Sequence, residues 1–242
     1  MTTAESTDTR GRIVRAAAEL LERGGREAVS TRAVSAAAGV QAPTLYRLFG
    51  DMDGLLDAVA GYGFEQYLRD KREQGETDDP VADLRRGWDH HIEFGLTRPA
   101  FYVLMYGNGR PAGASAAGRE AAGILRRLIG RVAAAGRLTM SVERAAQFAH
   151  ATGVGIVLTL IATPEAERDR SVADLARDAV LRTLVTDAAP SSPGEGLPPL
   201  AGRAVALRET LRETLRADDD GPLTAAERAL LEQWLDRLAD GR

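Results

Sequence analysis

The chain has 242 residues, a formal net charge of −4, 44% hydrophobic and 27% charged residues, the composition of a soluble globular protein with room for one large core or two smaller ones. It contains no cysteine, which excludes disulfides, thiolate metal sites and cysteine nucleophiles. The negative net charge argues against a general nucleic-acid glue, so any DNA binding must come from a local site.

Residues 1–8 are polar and are expected to be a disordered tail. They lack the basic and apolar regions of a signal peptide, which points to a cytoplasmic protein. Over residues 10–22, Ile13, Ala17, Leu20 and Leu21 recur at helical spacing, and Gly24-Gly25 is expected to stop that helix. Ser30 is a good N-cap for a short helix ending at Ala38, which Gly39 breaks. A third helix starts near Ala42, with Pro43 in its first turn where the missing N–H does no harm, and runs to Phe49. Asp51 can cap a longer helix, 52–72, with apolar members Leu55, Leu56, Val59, Tyr62, Phe64 and Tyr67. Further helices are predicted at 81–97, 99–106, 116–136, 141–162 and 170–187. A proline-rich linker, 189–199, follows, then an amphipathic helical hairpin at about 201–216 and 223–239. No segment alternates like a half-buried strand, so the predicted fold is all-α. The longest apolar run, 151–162, falls short of the roughly 18 residues needed to span a bilayer.

The informative stretch is 30–49. Two short helices meet at a turn with Gly39 where positive φ is needed. Val34, Ala38, Val40, Leu45 and Phe49 are the expected buried positions that pack one helix across the other. This is what a helix-turn-helix needs to push its second helix into a major groove. The exposed side of that helix offers Gln41, Thr44, Tyr46 and Arg47, neutral donors and acceptors plus one cation, which suit base edges and phosphates. Residues 1–50 carry seven arginines against five acids, a net of +2. By residues alone, the plain alternative is an ordinary corner in an all-α domain.

Residues 12–56 resemble the tetracycline-repressor (TetR) family of regulators. The matching words are "IVRAAAELLERGG" and "STRAVSAAAGVQAPTLYRLFGDMDGLLDAV". The resemblance covers about 9–70. It implies a helix-turn-helix domain over 9–70, a larger helical effector-binding and dimerisation domain over 71–188, and a C-terminal extension, 200–242, outside the family pattern. It also implies that Ala42, Pro43, Thr44, Tyr46 and Arg47 face DNA, with Gln41 at the helix start and Arg32 on the preceding helix. The expected activity is that of a ligand-responsive repressor. It binds a pseudo-palindromic, double-stranded DNA operator as a homodimer and is released by a small-molecule effector. Three departures stand out: Gln41 replaces the family's usual Ser or Thr cap, Leu48 a common histidine, and Met52 a phosphate-binding lysine. Without that lysine, operator binding should be less salt-sensitive. Leu48 and Met52 also favour a second reading, a TetR-like ligand-binding or scaffold protein that has lost operator binding.

In the second domain Trp88, His91, Phe94, Phe101, Tyr102, Met105 and Tyr106 fall on 81–97 and 99–106, and Phe148 and Thr152 on 141–162. Aromatics with a few polar groups can line an effector pocket; each can equally be core. Few charges fall among them, which favours a neutral or cationic effector over an anionic one. The run 149–162 is apolar all round, as a buried helix would be, and Gly153 and Gly155 would let another helix approach closely, as at a dimer interface. The dimer helices are to be drawn from 116–136, 141–162 and 170–187. The histidines His90, His91 and His150 lack metal-ligand spacing, and neither a metal nor another cofactor is expected. Nucleophile elbow, phosphate loop and dinucleotide fingerprint are all missing, so no enzyme is expected.

Overall fold

The computed structural model describes residues 3–73, 75–107, 116–186, 200–214 and 223–240. Among them are eleven α-helices: α1 (Thr3–Ala28), α2 (Thr31–Ala38), α3 (Ala42–Phe49), α4 (Met52–Glu73), α5 (Pro80–Thr97), α6 (Pro99–Tyr106), α7 (Ala116–Ala134), α8 (Val142–Ala162), α9 (Ser171–Leu184), α10 (Leu200–Thr214) and α11 (Ala225–Asp240). The described residues form no strand, only an isolated bridge between Leu138 and Val185. The all-α expectation holds. The linker expected at 189–199 lies outside the described residues.

The chain divides into two compact units: Met1–Gly75 with His90–Ala121 and Val157–Arg168, and Glu76–Asp89 with Ala122–Ile156 and Asp169–Arg242. In the first unit, α1 begins at Thr3, ahead of the expected start at Arg10. The Gly24-Gly25 pair kinks rather than ends it, with Gly25 at φ 66, and helix resumes to Ala28. The core of this unit is built from Ile13, Ala17 and Leu21 of α1, Val34 and Ala38 of α2, Leu45 of α3, and Leu55, Leu56, Val59 and Phe64 of α4. Burying a large aliphatic or aromatic side chain contributes about 1.5–3 kcal/mol, so this apolar interior is what sets the helix-turn-helix on α1 and α4. α6 packs against both α1 and α4. A methyl group at Gly63 would run into the Phe101 ring, so only glycine allows α4 and α6 to come this close.

The second unit has its own core. Leu84, Leu128, Ile129, Val132, Leu138, Val142, Ala145, Val180 and Leu184 are buried together with Ala204, Val205, Leu235 and Ala239 of the C-terminal helices. The amphipathic hairpin expected after the linker therefore packs on its own chain. Charge is buried here too. Asp83 is 4% exposed and bonded by Arg86, Arg131 and the Thr77 hydroxyl and amide. Burial works to raise its pKa, but these donors overcome that and hold the carboxyl down at about 2. Arg208, 5% exposed, joins α10 to Glu143 (2.6 Å) and Asp236 (2.9 Å).

One expectation needs correcting. α8 is not covered all round: Ala145 and Ala149 are buried, while Phe148, Ala151 and Gly155 are exposed. α8 is also the one described helix long and apolar enough, by length and composition, to cross a membrane.

Candidate nucleic-acid interface and ligand cavity

The turn between α2 and α3 is fixed at both ends. The Ser30 Oγ accepts from the Ala33 N–H (3.2 Å), satisfying one orphan donor of α2. Gly39 sits at φ 62 in the left-handed region, where a side chain would be strained. Its N–H and that of Val40 donate to the carbonyls of Ala36 and Ser35. The Arg12 Nε of α1 donates to the Ala38 carbonyl (3.1 Å), tying the end of α2 to the first helix. α3 has Pro43 in its first turn, and Gln41 makes no side-chain cap hydrogen bond, as its poor capping chemistry suggests. The Asp51 Oδ1 accepts from the Gly54 N–H (2.7 Å) at the start of α4.

This frame buries Val34, Ala38 and Leu45, while Val40 and Phe49, expected inside, are only half-buried. The Phe49 ring is instead covered by the Arg10 guanidinium, 4.8 Å from its centroid, a cation–π contact. Gln41, Pro43, Tyr46 and Arg47 are exposed on α3, Ala42 and Thr44 are half-exposed, and Arg32 is exposed on α2. The Tyr46 hydroxyl is 3.0 Å from the Thr31 Oγ1. Thr31, a contact the sequence did not suggest, steers the tyrosine. The result is a short helix with an apolar underside and an outer surface of one cation, one phenol, one amide and one hydroxyl.

The aromatic residues separate into two groups. In the first unit, His91, Phe94, Tyr102 and Tyr106 form a contiguous ring cluster with Phe64, Tyr67 and His90. The Tyr102 hydroxyl is 2.8 Å from the His91 Nε2. Burial pushes the phenols of Tyr67 and Tyr102 far up, and that of Tyr106 to about 12, so all three stay protonated. Phe101 is buried and Met105 half-buried beside them in sequence. Trp88, Phe148 and Thr152 belong to the second unit. Trp88 packs at the edge of its core with Nε1 lacking a hydrogen-bond partner among the described residues, Phe148 is exposed, and the Thr152 hydroxyl donates to the Phe148 carbonyl (2.9 Å).

A cavity of about 140 Å³ opens beside the ring cluster, lined by Gly63, Tyr67, His90, Glu93, Phe94, Thr97 and Arg98. Of the residues nominated from sequence only Phe94 lines it. The others were missed because they come from α4, from α5 and from Arg98 at the head of α6, which only tertiary packing brings together. The expectation of few charges needs amending, because Glu93 and Arg98 both face this cavity. Arg98 also pairs with Glu22 of α1 (2.9 Å), so one residue of the cavity wall reaches the first helix of the DNA-binding motif.

With this geometry in view, the comparisons are specific. Residues 13–59 match the bacterial regulatory proteins of the tetR family. No curated protein matches the chain. Solved structures do. A protein of unknown function from Rhodococcus sp. RHA1 is 27% identical, with a TM-score of 0.57 over 74% of this chain and 96% of that one. A putative tetR-family transcription regulator from Shewanella sp. PV-4 is 16% identical, TM-score 0.58, over 74% and 98%. A TetR-family transcriptional regulator from Streptomyces coelicolor is 24% identical, TM-score 0.53, over 72% and 96%. Residues 13–59 carry a tetR-family helix-turn-helix domain, and the chain shares its fold with solved TetR-family transcription regulators. The matched structures are spanned nearly whole, and about a quarter of this chain lies beyond them.

Proposed function

We propose that the protein is a ligand-responsive transcriptional repressor of the cytoplasm, not an enzyme, which binds a pseudo-palindromic operator as a homodimer. The observation that carries this reading is the outer surface of α3. Gln41, Thr44, Tyr46 and Arg47 project from a helix whose underside is buried on a tetR-family domain. Arg47 supplies a phosphate or guanine contact, Gln41 and Thr44 neutral donors and acceptors, and Ala42 and Pro43 a surface slim enough to lie close to the bases. Residues 9–70 form the DNA-binding domain in this reading, and 71–188 serve effector binding and dimerisation.

Dimerisation is assigned to the exposed face of α8 and α9. Phe148, Ala151, Gly155, Val172, Leu175 and Ala179 leave small and apolar side chains open on adjacent turns, and Leu175 is 68% exposed. A two-fold dimer places two copies of α3 on half-sites about one helical turn apart.

The effector is assigned to the cavity between Tyr67, His90, Glu93, Phe94 and Arg98. Its volume, about 140 Å³, suits a molecule of roughly one aromatic ring. Coupling follows from Arg98. A ligand that engages this guanidinium competes with Glu22, and α1, which carries Glu22, also holds α2 through Arg12. Such a ligand switches the protein only if its affinity differs between the DNA-bound and free states.

A gel-shift on the upstream region of the protein's own gene tests operator binding. A specific, salt-dependent shift that Arg47→Ala weakens supports it. One observation favours the second reading, a family member that no longer binds an operator: the Tyr46 hydroxyl already has a partner in Thr31. No shift at any salt concentration would favour that reading.

A further inference from the structure

α3 ends on an aromatic ring with a charge seated over it. The guanidinium of Arg10, on α1, lies 4.8 Å from the ring centroid of Phe49, the last residue of α3. The attraction between cation and ring holds that charge in one place. Arg10 is exposed, and among the described residues no carboxylate pairs with it. Arg12, two residues on, is engaged differently, with Asp8 at 3.9 Å and the Ala38 carbonyl. Arg10 is thus a cation fixed beside α3, with N–H donors that the described residues leave unused.

Its place round α3 is informative. At about 100° per residue, Phe49 and Arg47 stand about 160° apart on this helix. The exposed Pro43 and Tyr46 lie in the sector between them. The outer face of α3 therefore has a cation at each edge: Arg47 at one, and Arg10, seated on Phe49, at the other. A helix with its side chains is about 10–12 Å across, and the major groove is about 12 Å wide. A helix in that groove has a phosphate strand along each flank, so each edge cation of α3 has a strand to meet.

We propose that Arg10 is a further DNA-contacting residue, which holds a backbone phosphate on the Phe49 flank of α3 while Arg47 works on the opposite flank. This rests on the operator-binding reading given above. A guanidinium suits the task because its planar fork of donors matches phosphate oxygens. The ring seat keeps the side chain ordered before DNA arrives, which lowers the entropy cost of the contact. A phosphate contact fixes the register of α3 without reading sequence. Arg10 should accordingly strengthen binding to any duplex by the same factor.

The test uses the full chain and two probes, the upstream region of the protein's own gene and an unrelated duplex of equal length. Affinities are read by fluorescence anisotropy at several salt concentrations. Arg10→Gln keeps the polar stem and removes the charge. Its log–log salt slope should be shallower by about 0.9, the share of one phosphate contact. With the effect vanishing at 1 M salt, that slope makes binding roughly eightfold weaker at 0.1 M and roughly threefold weaker at 0.3 M, on both duplexes. Arg10→Lys should keep the wild-type slope. Arg23→Gln is the control, an exposed arginine further along α1. It lies about 20 Å from Arg10 by helical rise, beyond the Debye length of about 10 Å at 0.1 M salt, and should stay within twofold of wild type. If Arg47→Ala weakens binding while Arg10→Gln changes neither slope nor affinity, Arg10 only shelters the Phe49 ring; the inference is then overturned and the operator reading stands. An equal loss from Arg23→Gln overturns it as well, because net charge alone would explain the effect. A wild type that binds neither duplex at any salt concentration overturns both readings.

Discussion

Two helix pairs of this chain are built alike and finished differently. α2–α3 and α10–α11 each bury an apolar side on the body of the protein, yet α3 shows water an arginine, a phenol, an amide and a hydroxyl, whereas α11 shows it Leu230, Trp234 and Leu238. The supports differ as well. α2–α3 is seated on apolar packing, with the Arg10 guanidinium over the Phe49 ring and the Arg12 Nε bonded to the Ala38 carbonyl. α10–α11 is anchored by the buried Arg208 between Glu143 and Asp236. A polar outer face on a rigid, apolar seat suits a surface that docks on water-filled, charged grooves and lets go again. An apolar outer face on a charge-locked seat leaves large hydrophobic side chains in water.

The comparison breaks most sharply at Arg208. Arg208→Ala removes the buried guanidinium between Glu143, which keeps Arg212 as a partner, and Asp236, and should destabilise the second unit by about 1.5–3 kcal/mol, the usual cost of losing hydrogen bonds to charged groups. Chemical denaturation checks it. Operator affinity per folded molecule should change far less than stability, since α3 has no part in that pair.

Next in size is the outer face of α3. Tyr46→Ala and Arg47→Ala should each weaken operator binding by about 1–3 kcal/mol, seen by fluorescence anisotropy. Arg47→Ala should leave the melting temperature nearly unchanged because the side chain is exposed. Tyr46→Ala also loses the hydroxyl pair with Thr31, so Tyr46→Phe separates orientation from contact.

Acid should tell the two regions apart. The Asp83 carboxyl is held at about 2 against an ordinary 3.8, so the folded state prefers it ionised. Its contribution, roughly 2 kcal/mol at neutral pH, is fully present above pH 4 and is lost as the pH falls through 2. Asp83→Asn should flatten that part of the stability–pH curve. Equilibrium unfolding between pH 5 and pH 2 checks it.

The smallest effect is at the start of α4. Met52→Lys restores a cation where family members commonly carry one, and should steepen the log–log salt dependence of operator binding by about −0.9, read from affinities at several salt concentrations.

What could be read from sequence follows the same division. The limits of α2 and α3 were legible because they are written in local chemistry: Ser30 caps, Gly39 takes a positive φ, Pro43 sits where an N–H is not needed, Asp51 caps again. α1 was misjudged for a local reason too, since glycines that commonly stop a helix here only kink one. The cavity was hidden because its walls are assembled by packing. Gly63 reads as a weak point of α4 until Phe101 is seen against it, and Arg98 finds Glu22 far earlier in the chain. Phe148 and Trp88 look like pocket residues by type alone, yet one faces outward and the other edges a different core. Buried ion pairs such as Arg208–Glu143 leave no periodic trace, because either residue alone reads as a solvated charge.

The central claim is that α3 reads DNA as one of a two-fold pair. Selection of binding sites by the full-length protein from random-sequence duplexes tests it most directly. The account predicts enrichment of a two-fold symmetric motif, with half-site centres about 10 base pairs or a multiple apart, and loss of that enrichment with Tyr46→Ala and Arg47→Ala combined. No enrichment, or a motif without symmetry that the double variant binds equally well, would contradict it.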